Sequence, residues 1–169
     1  MHLEYFKKEI IPLKDKLFRY ALNYLKESSV AEDVIQDVFL KLWKKREEFY
    51  KIKNIEAWSM TMTRNLSLDL LKRNKVEFTD PVFIKEPVMR SGTPDNLIEQ
   101  SELKDNVHEI IESLSEKQRQ VVFLRDIEGY SYREISEIIG IDQNLVKVTL
   151  FRARENLRKK LLNTDRYEL

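Results

Sequence analysis

Between Pro12 and Pro81 lie 68 residues containing neither glycine nor proline, and from Asp95 to Glu128 lie another 34. Short strands need turn residues roughly every ten positions, and this chain of 169 residues has only three glycines and four prolines. An all-β or βαβ fold therefore lacks its turns, whereas each window is long enough for several helices. The sequence predicts an all-α protein of one or two small domains.

Composition narrows the chemistry. Cysteine is absent, which removes disulfides, thiolate metal sites and cysteine nucleophiles, and His2 and His108 are the only histidines. No metal and no cofactor is expected. The longest clean apolar run, Val121 to Leu124, is far below the roughly 20 residues of a membrane span, and the N-terminus has no signal-peptide core. A cytoplasmic protein without membrane insertion is the expectation. Carboxylate pairs such as Glu47 and Glu48 carry no pocket signature, so an enzyme is the least supported class.

The net charge of +1 conceals blocks of opposite sign. Residues 41–75 hold ten Lys/Arg against four acids, residues 76–118 hold ten acids against four bases, and residues 141–160 hold six bases against two acids. Two basic blocks around an acidic stretch fit two polyanion contacts joined by a segment that avoids nucleic acid, although solvated helix faces of differing charge give the same sums.

Periodicity divides the chain in two. Residues 75–96 contain Pro81, Pro87, Gly92 and Pro94 without helical periodicity and read as a linker, whose Val82-Phe83-Ile84 patch is suited to docking on a surface. Before it, helices are predicted over Leu13–Lys26, from a Ser29/Glu32 capping box to about Glu48, and from an Asn54 cap to about Arg73. In the last of these, Ile55, Trp58, Met62, Leu66 and Leu70 are spaced to form one buried stripe. After the linker, Thr93-Pro94 starts a helix ending near Ser113, and Ser115/Gln118 opens another that Gly129 stops. Ser131/Glu134 opens a short helix to Gly140, and Asp142 caps a last helix to about Leu162.

Residues 131–152 thus have the layout of a helix-turn-helix, with Ser136 small at the helix crossing, Gly140 in the turn and Val146 returning to the core. On the last helix Val146, Leu150, Ala153, Leu157 and Leu161 form a core stripe. Val148, Phe151 and Arg152 lie opposite, a combination suited to a major groove, where apolar groups meet thymine methyls and arginine meets guanine. Lys147, Arg154 and Arg158 flank that face within reach of phosphates.

The run Glu128-Gly129-Tyr130-Ser131-Tyr132-Arg133-Glu134-Ile135 and the later Val146-Lys147-Val148-Thr149-Leu150-Phe151-Arg152-Ala153-Arg154 resemble region 4 of extracytoplasmic-function (ECF) sigma factors. Ala31 to Trp43 resembles region 2.2, and Ala57-Trp58 through Arg64-Asn65 resembles regions 2.3 and 2.4. This resemblance implies two small helical domains, region 2 at 1–76 and region 4 at 95–169, joined by a flexible linker at 77–94. It implies a bacterial transcription initiation factor that binds core RNA polymerase, directs it to promoters and helps open the minus-10 element; the polymerase supplies the active site, and no small-molecule substrate is needed. Asp33, Gln36, Asp37, Leu40 and Trp43 would meet the β′ clamp coiled coil, and region 4 the β flap.

Residues 49–55 resemble the loop that captures a flipped base, with Asn65 matching the asparagine of that pocket. The resemblance therefore nominates Phe49, Tyr50, Lys51, Lys53, Trp58, Arg64, Asn65, Lys72 and Arg73 for the minus-10 strand. It nominates Lys147, Val148, Thr149, Phe151, Arg152, Arg154 and Arg158 for the minus-35 duplex. Many members carry Ser-Arg where this chain has Val148-Thr149, which removes one cation. An anti-sigma factor is a further implied partner. Two other readings stay open at this level: a regulator using only the helix-turn-helix, which would bind duplex DNA without polymerase, and a helical adaptor whose basic faces meet acidic proteins.

Overall fold

The computed structural model describes residues 2–77 and 109–164, which are helical apart from short turns and contain no strand. The Val82-Phe83-Ile84 patch and the expected helix start at Thr93-Pro94 lie outside the described residues. The chain divides into two compact units, one N-terminal and one C-terminal.

In the N-terminal unit three helices pack on one another: α1 (Lys14–Leu25), α2 (Ser28–Lys44) and α3 (Ile55–Glu77). Helix α1 buries Leu17, Tyr20, Ala21 and Tyr24, a 3-4 repeat that makes one stripe, and ends where Lys26 turns left-handed (φ 61°) and donates its N–H to the Leu22 carbonyl. Helix α2 buries Ala31, Val34, Ile35, Val38 and Leu42. Its expected Ser29/Glu32 box does not form. The helix begins two residues earlier, with Glu27 at the cap, and the Ser29 hydroxyl donates to Glu27 Oε1 (2.9 Å) from within the first turn.

Nor does α2 reach Glu48. It stops at Lys44, the backbone tightens into a 3₁₀ turn over Arg46–Lys51, and Arg46 Nη1 donates to the Trp43 carbonyl in the last turn (3.0 Å). Asn54 caps α3 as expected, its Oδ1 accepting the Ala57 N–H at 2.9 Å. The helix then continues past Arg73 to Glu77.

The stripe of α3 differs from its apolar periodicity. Ala57, Ser59, Met60, Thr63 and Ser67 are buried, while Ile55, Trp58, Met62, Leu66 and Leu70 are only half-buried. Packing against both α1 and α2 selects small side chains that let the backbones approach. The Ser59 hydroxyl donates to the Ile55 carbonyl (2.7 Å) and that of Thr63 to the Ser59 carbonyl (2.9 Å), which removes the cost of burying them. Fully buried Leu17, Leu42 and Met60 supply the transfer energy, roughly 1.5–3 kcal/mol each. A Lys16–Glu56 ion pair at 2.5 Å ties α1 to α3. Ahead of α1, Phe6 and Ile10 are buried, with Phe6 edge-on to Trp43 at 5.3 Å.

In the C-terminal unit, residues 109–112 are helical and end at Ser113, as expected. Helix α4 (Glu116–Val122) starts on a capping box formed in both directions between Ser115 and Gln118. It passes into a π-helical turn, Phe123–Ile127, before Gly129 ends it at φ +79°. Helix α5 (Tyr132–Ile139) opens on a Ser131/Glu134 box, with Ser131 N–H to Glu134 Oε2 at 2.8 Å and Glu134 N–H to Ser131 Oγ at 3.2 Å.

Gly140 takes φ +76° in the turn, where a Cβ would meet nothing within 4 Å; the backbone angle rather than space calls for glycine. Asp142 Oδ1 accepts the Asn144 N–H (2.7 Å) and starts α6 (Gln143–Thr164), which packs on α4. Val146, Leu150 and Ala153 are buried as expected, but Leu157 is half-buried and Leu161 exposed, because the described core ends before the last two turns of α6.

Candidate nucleic-acid and polymerase interfaces

Helix α2 turns one stripe to the core and another to solvent. Asp33, Gln36, Asp37 and Leu40 are exposed, with Leu40 at 57%. Trp43 is half-buried, its indole held edge-on by Phe6 and covered by the Arg46 guanidinium at 4.7 Å. Phe39 is likewise half-buried rather than core. Beside this stripe runs a groove of about 810 Å³ whose apolar walls include Phe6, Ile11, Phe18, Phe39, Leu40 and Trp43. The five residues nominated for polymerase contact thus share an acidic, partly apolar face, a combination suited to a basic helical partner.

The other face of α2 meets α3. Between them lies a smaller cavity of about 270 Å³, with Lys41 contributed by α2, Lys45 by its C-cap, and Trp58, Asn65 and Asp69 by α3. Trp58 is half-buried, with Lys45 Nζ 5.8 Å from its ring centroid. One indole therefore closes the core and walls the cavity. Asn65 is exposed and accepts from Arg64 Nη1 at 3.4 Å.

The neighbouring 3₁₀ turn separates two aromatic residues that sequence nominated together. Phe49 is 7% exposed and packs on Tyr5 (5.5 Å) and Trp58 (6.5 Å), so its ring is closed to a nucleobase, a correction to the expected role. Tyr50 is 80% exposed, with the Lys51 ammonium 5.3 Å from its ring centroid. Lys53, Lys72 and Arg73 are exposed and Arg64 is half-buried. Sequence reasoning missed Lys41, Lys45 and Asp69. The available signal was a pair of four-residue spacings, Lys41/Lys45 and Asn65/Asp69, each marking one helix face.

In the C-terminal unit, α6 presents Lys147, Val148, Phe151 and Arg152 to solvent, with Val148 at 43% and Phe151 at 67% exposure. Thr149 does not join them. At 7% exposure it lies on the stripe of Val146, Leu150 and Ala153, because three residues past Val146 the helix has turned about 300° and returns to the core side. Its nomination as a DNA contact is corrected accordingly.

The Arg154 fork is occupied by Asp126: Nε donates to Oδ2 at 3.2 Å and Nη2 to Oδ1, which holds the guanidinium above its ordinary pKa. Arg158 pairs with Glu155 at 2.9 Å. Tyr132, at the start of α5, lies between the Arg125 guanidinium (4.8 Å) and Lys147 Nζ (5.7 Å). Ser136 Oγ donates to the Ile141 carbonyl at 2.5 Å and locks the turn between the two helices.

Among the described residues, a helix-turn-helix unit displaying apolar and cationic side chains and a second helical unit with a cation-rimmed cavity have the features of DNA-binding transcription factors. Residues 12–76 match the family model for Sigma-70 region 2 and residues 104–157 that for Sigma-70, region 4. The chain belongs to the sigma-70 family, in its group of ECF RNA polymerase sigma factors.

Among its relatives, the ECF RNA polymerase sigma factor SigW of Bacillus subtilis is 27% identical over 157 residues, covering 88% of this chain and 84% of that protein. The ECF RNA polymerase sigma-E factor of Escherichia coli K12 is 27% identical over 161 residues, covering 90% and 84%. Among solved structures, the sigma factor RpoE of Bartonella quintana, crystallised with the anti-sigma factor NepR, superposes with a TM-score of 0.71 at 27% identity, covering 92% of this chain and 96% of that one. CnrH, in complex with the cytosolic domain of CnrY, shares the fold with a TM-score of 0.67 at 22% identity, covering 95% and 88%. The class of function is that of a transcription initiation sigma factor.

Proposed function

We propose that this chain binds core RNA polymerase, directs it to specific promoters and promotes DNA opening, with region 2 at 1–76, a linker at 77–94 and region 4 at 95–169. One observation carries the reading: a single sigma-70 chain pairs a region 2 cavity walled by Trp58 and Asn65 with a region 4 helix exposing Val148, Phe151 and Arg152. Flipping a base costs a few kcal/mol, which stacking surface and edge hydrogen bonds must return; Tyr50, Trp58 and Asn65 offer both. Lys51, Lys53, Arg64, Lys72 and Arg73 hold the strand. Lys147, Val148, Phe151 and Arg152 read the minus-35 duplex, while Arg154 and Arg158 serve phosphates only after leaving their carboxylates.

The face of Asp33, Gln36, Asp37, Leu40 and Trp43 docks the β′ clamp coiled coil, and the β flap receives region 4. Synthesis belongs to the polymerase, so the chain itself is no enzyme, and its place of action is the bacterial cytoplasm. The solved structure of RpoE with the anti-sigma factor NepR supports an anti-sigma factor as a further partner. Among the described residues no helix is long and apolar enough to cross a membrane.

The test is reconstitution with core polymerase and a promoter. Asn65→Ala should reduce permanganate-detected opening more than duplex binding, whereas Arg152→Ala should weaken minus-35 recognition by about 1–3 kcal/mol in band shifts. Equal loss of opening and binding from Asn65→Ala would remove the pocket role. Failure to form any holoenzyme would remove the function altogether.

A further inference from the structure

The cavity between α2 and α3 holds three charged groups that the proposed function leaves unused, Asp69, Lys41 and Lys45. Asp69 lines it one helical turn beyond Asn65, on the same face of α3, with Lys41 and Lys45 on the opposite wall. Asp69 is exposed and, among the described residues, has no ion pair. A carboxylate on a strand-binding surface repels phosphates, and the cations already assigned to the strand, Lys51, Lys53, Lys72 and Arg73 among them, serve the backbone without it. What offsets that repulsion is a base edge that donates hydrogen bonds.

The four bases differ in this respect. A carboxylate is an acceptor only and takes two parallel N–H bonds best. Thymine offers one donor flanked by two acceptors, and adenine and cytosine offer one amino group beside a ring acceptor. Guanine alone presents two adjacent donors, N1–H and the 2-amino group, with O6 next to them as an acceptor for an ammonium. At about 270 Å³ the cavity is below the size of drug-binding pockets and suits one base. Trp58, Met62 and Leu66 line it with stacking and apolar surface.

We infer that this cavity selects guanine as its unstacked base, with Asp69 accepting from N1–H and the 2-amino group while Lys41 or Lys45 donates to O6. The inference rests on the proposed strand-opening role and adds the base that the site takes and the residue that chooses it.

The experiment uses holoenzyme assembled from the full chain and core polymerase on forked promoter DNA, in which each unpaired non-template position carries guanine, adenine, cytosine or thymine in turn. At one position guanine should bind about tenfold more tightly than the other bases. Hypoxanthine, which lacks the 2-amino group, should lose several-fold of that. Asp69→Asn should bind guanine and hypoxanthine alike while retaining minus-35 duplex affinity, which reports an intact fold. No guanine-preferring position, a preference surviving Asp69→Asn, or a uniform loss on all bases overturns the inference while leaving strand opening standing. A wild-type holoenzyme that binds no fork at all counts instead against the proposed function.

Discussion

Replacing Asp126 by Asn removes the negative charge and one of the two oxygens that accept from the Arg154 guanidinium, leaving at most one neutral hydrogen bond. The two side chains are 51% and 34% exposed, so water and salt screen the pair, and its contribution to stability is about 0.5 kcal/mol. For a unit of this size that lowers the melting temperature by roughly 2–4 °C. The effect on DNA has the opposite sign. In the wild type, Arg154 must break the pair before it can neutralise a phosphate; in Asp126→Asn the charge-assisted part of that cost is gone, and affinity for minus-35 duplex should rise up to about twofold.

Titrating the duplex at several salt concentrations separates this account from a purely structural one. Arg154→Ala should flatten the plot of log K against log salt by about 0.9, the loss of one phosphate contact. The double variant Asp126→Asn/Arg154→Ala should bind like Arg154→Ala alone. Weaker binding by Asp126→Asn would show that the carboxylate aims the guanidinium at DNA rather than withholding it, and an unchanged salt slope in Arg154→Ala would show that the arginine never reaches a phosphate.

Three further outcomes are expected. Phe49→Ala should cost about 3 kcal/mol in urea unfolding, since the ring is buried between Tyr5 and Trp58, whereas Tyr50→Ala should stay within about 0.5 kcal/mol and instead reduce permanganate-detected opening. Ser136→Ala should destabilise the C-terminal unit by about 1 kcal/mol through loss of the bond to the Ile141 carbonyl. Gly140→Ala, forced to keep φ +76°, should cost roughly 1–2 kcal/mol despite the open space around its Cβ position.

The capping residues show which parts of the fold were readable beforehand. Asn54, Ser115, Ser131 and Asp142 all cap as their spacing predicts, because a cap depends on side chain and backbone within four residues. Ser29/Glu32 failed although its residue types were right: helix α2 starts two residues earlier, at Ser28, which moves Ser29 off the cap position. The candidate site divides in the same way. Exposure of Val148, Phe151 and Arg152 follows from helical phase alone, whereas the assembly of Lys41, Lys45, Trp58, Asn65 and Asp69 around one cavity requires α2 and α3 to be brought side by side.

Scarce glycine and proline, the 3-4 apolar rhythm and the cap spacings by themselves determined an all-α chain with a helix-turn-helix, since each acts over a few residues. Tertiary packing alone decided which faces were buried: it gave α3 a core stripe of small residues in place of its larger apolar ones. It also closed Phe49 while leaving Tyr50 open, and occupied the Arg154 fork with Asp126, 28 residues away. Burial and ion pairing depend on neighbours distant along the chain, and no local pattern encodes where those neighbours come to rest.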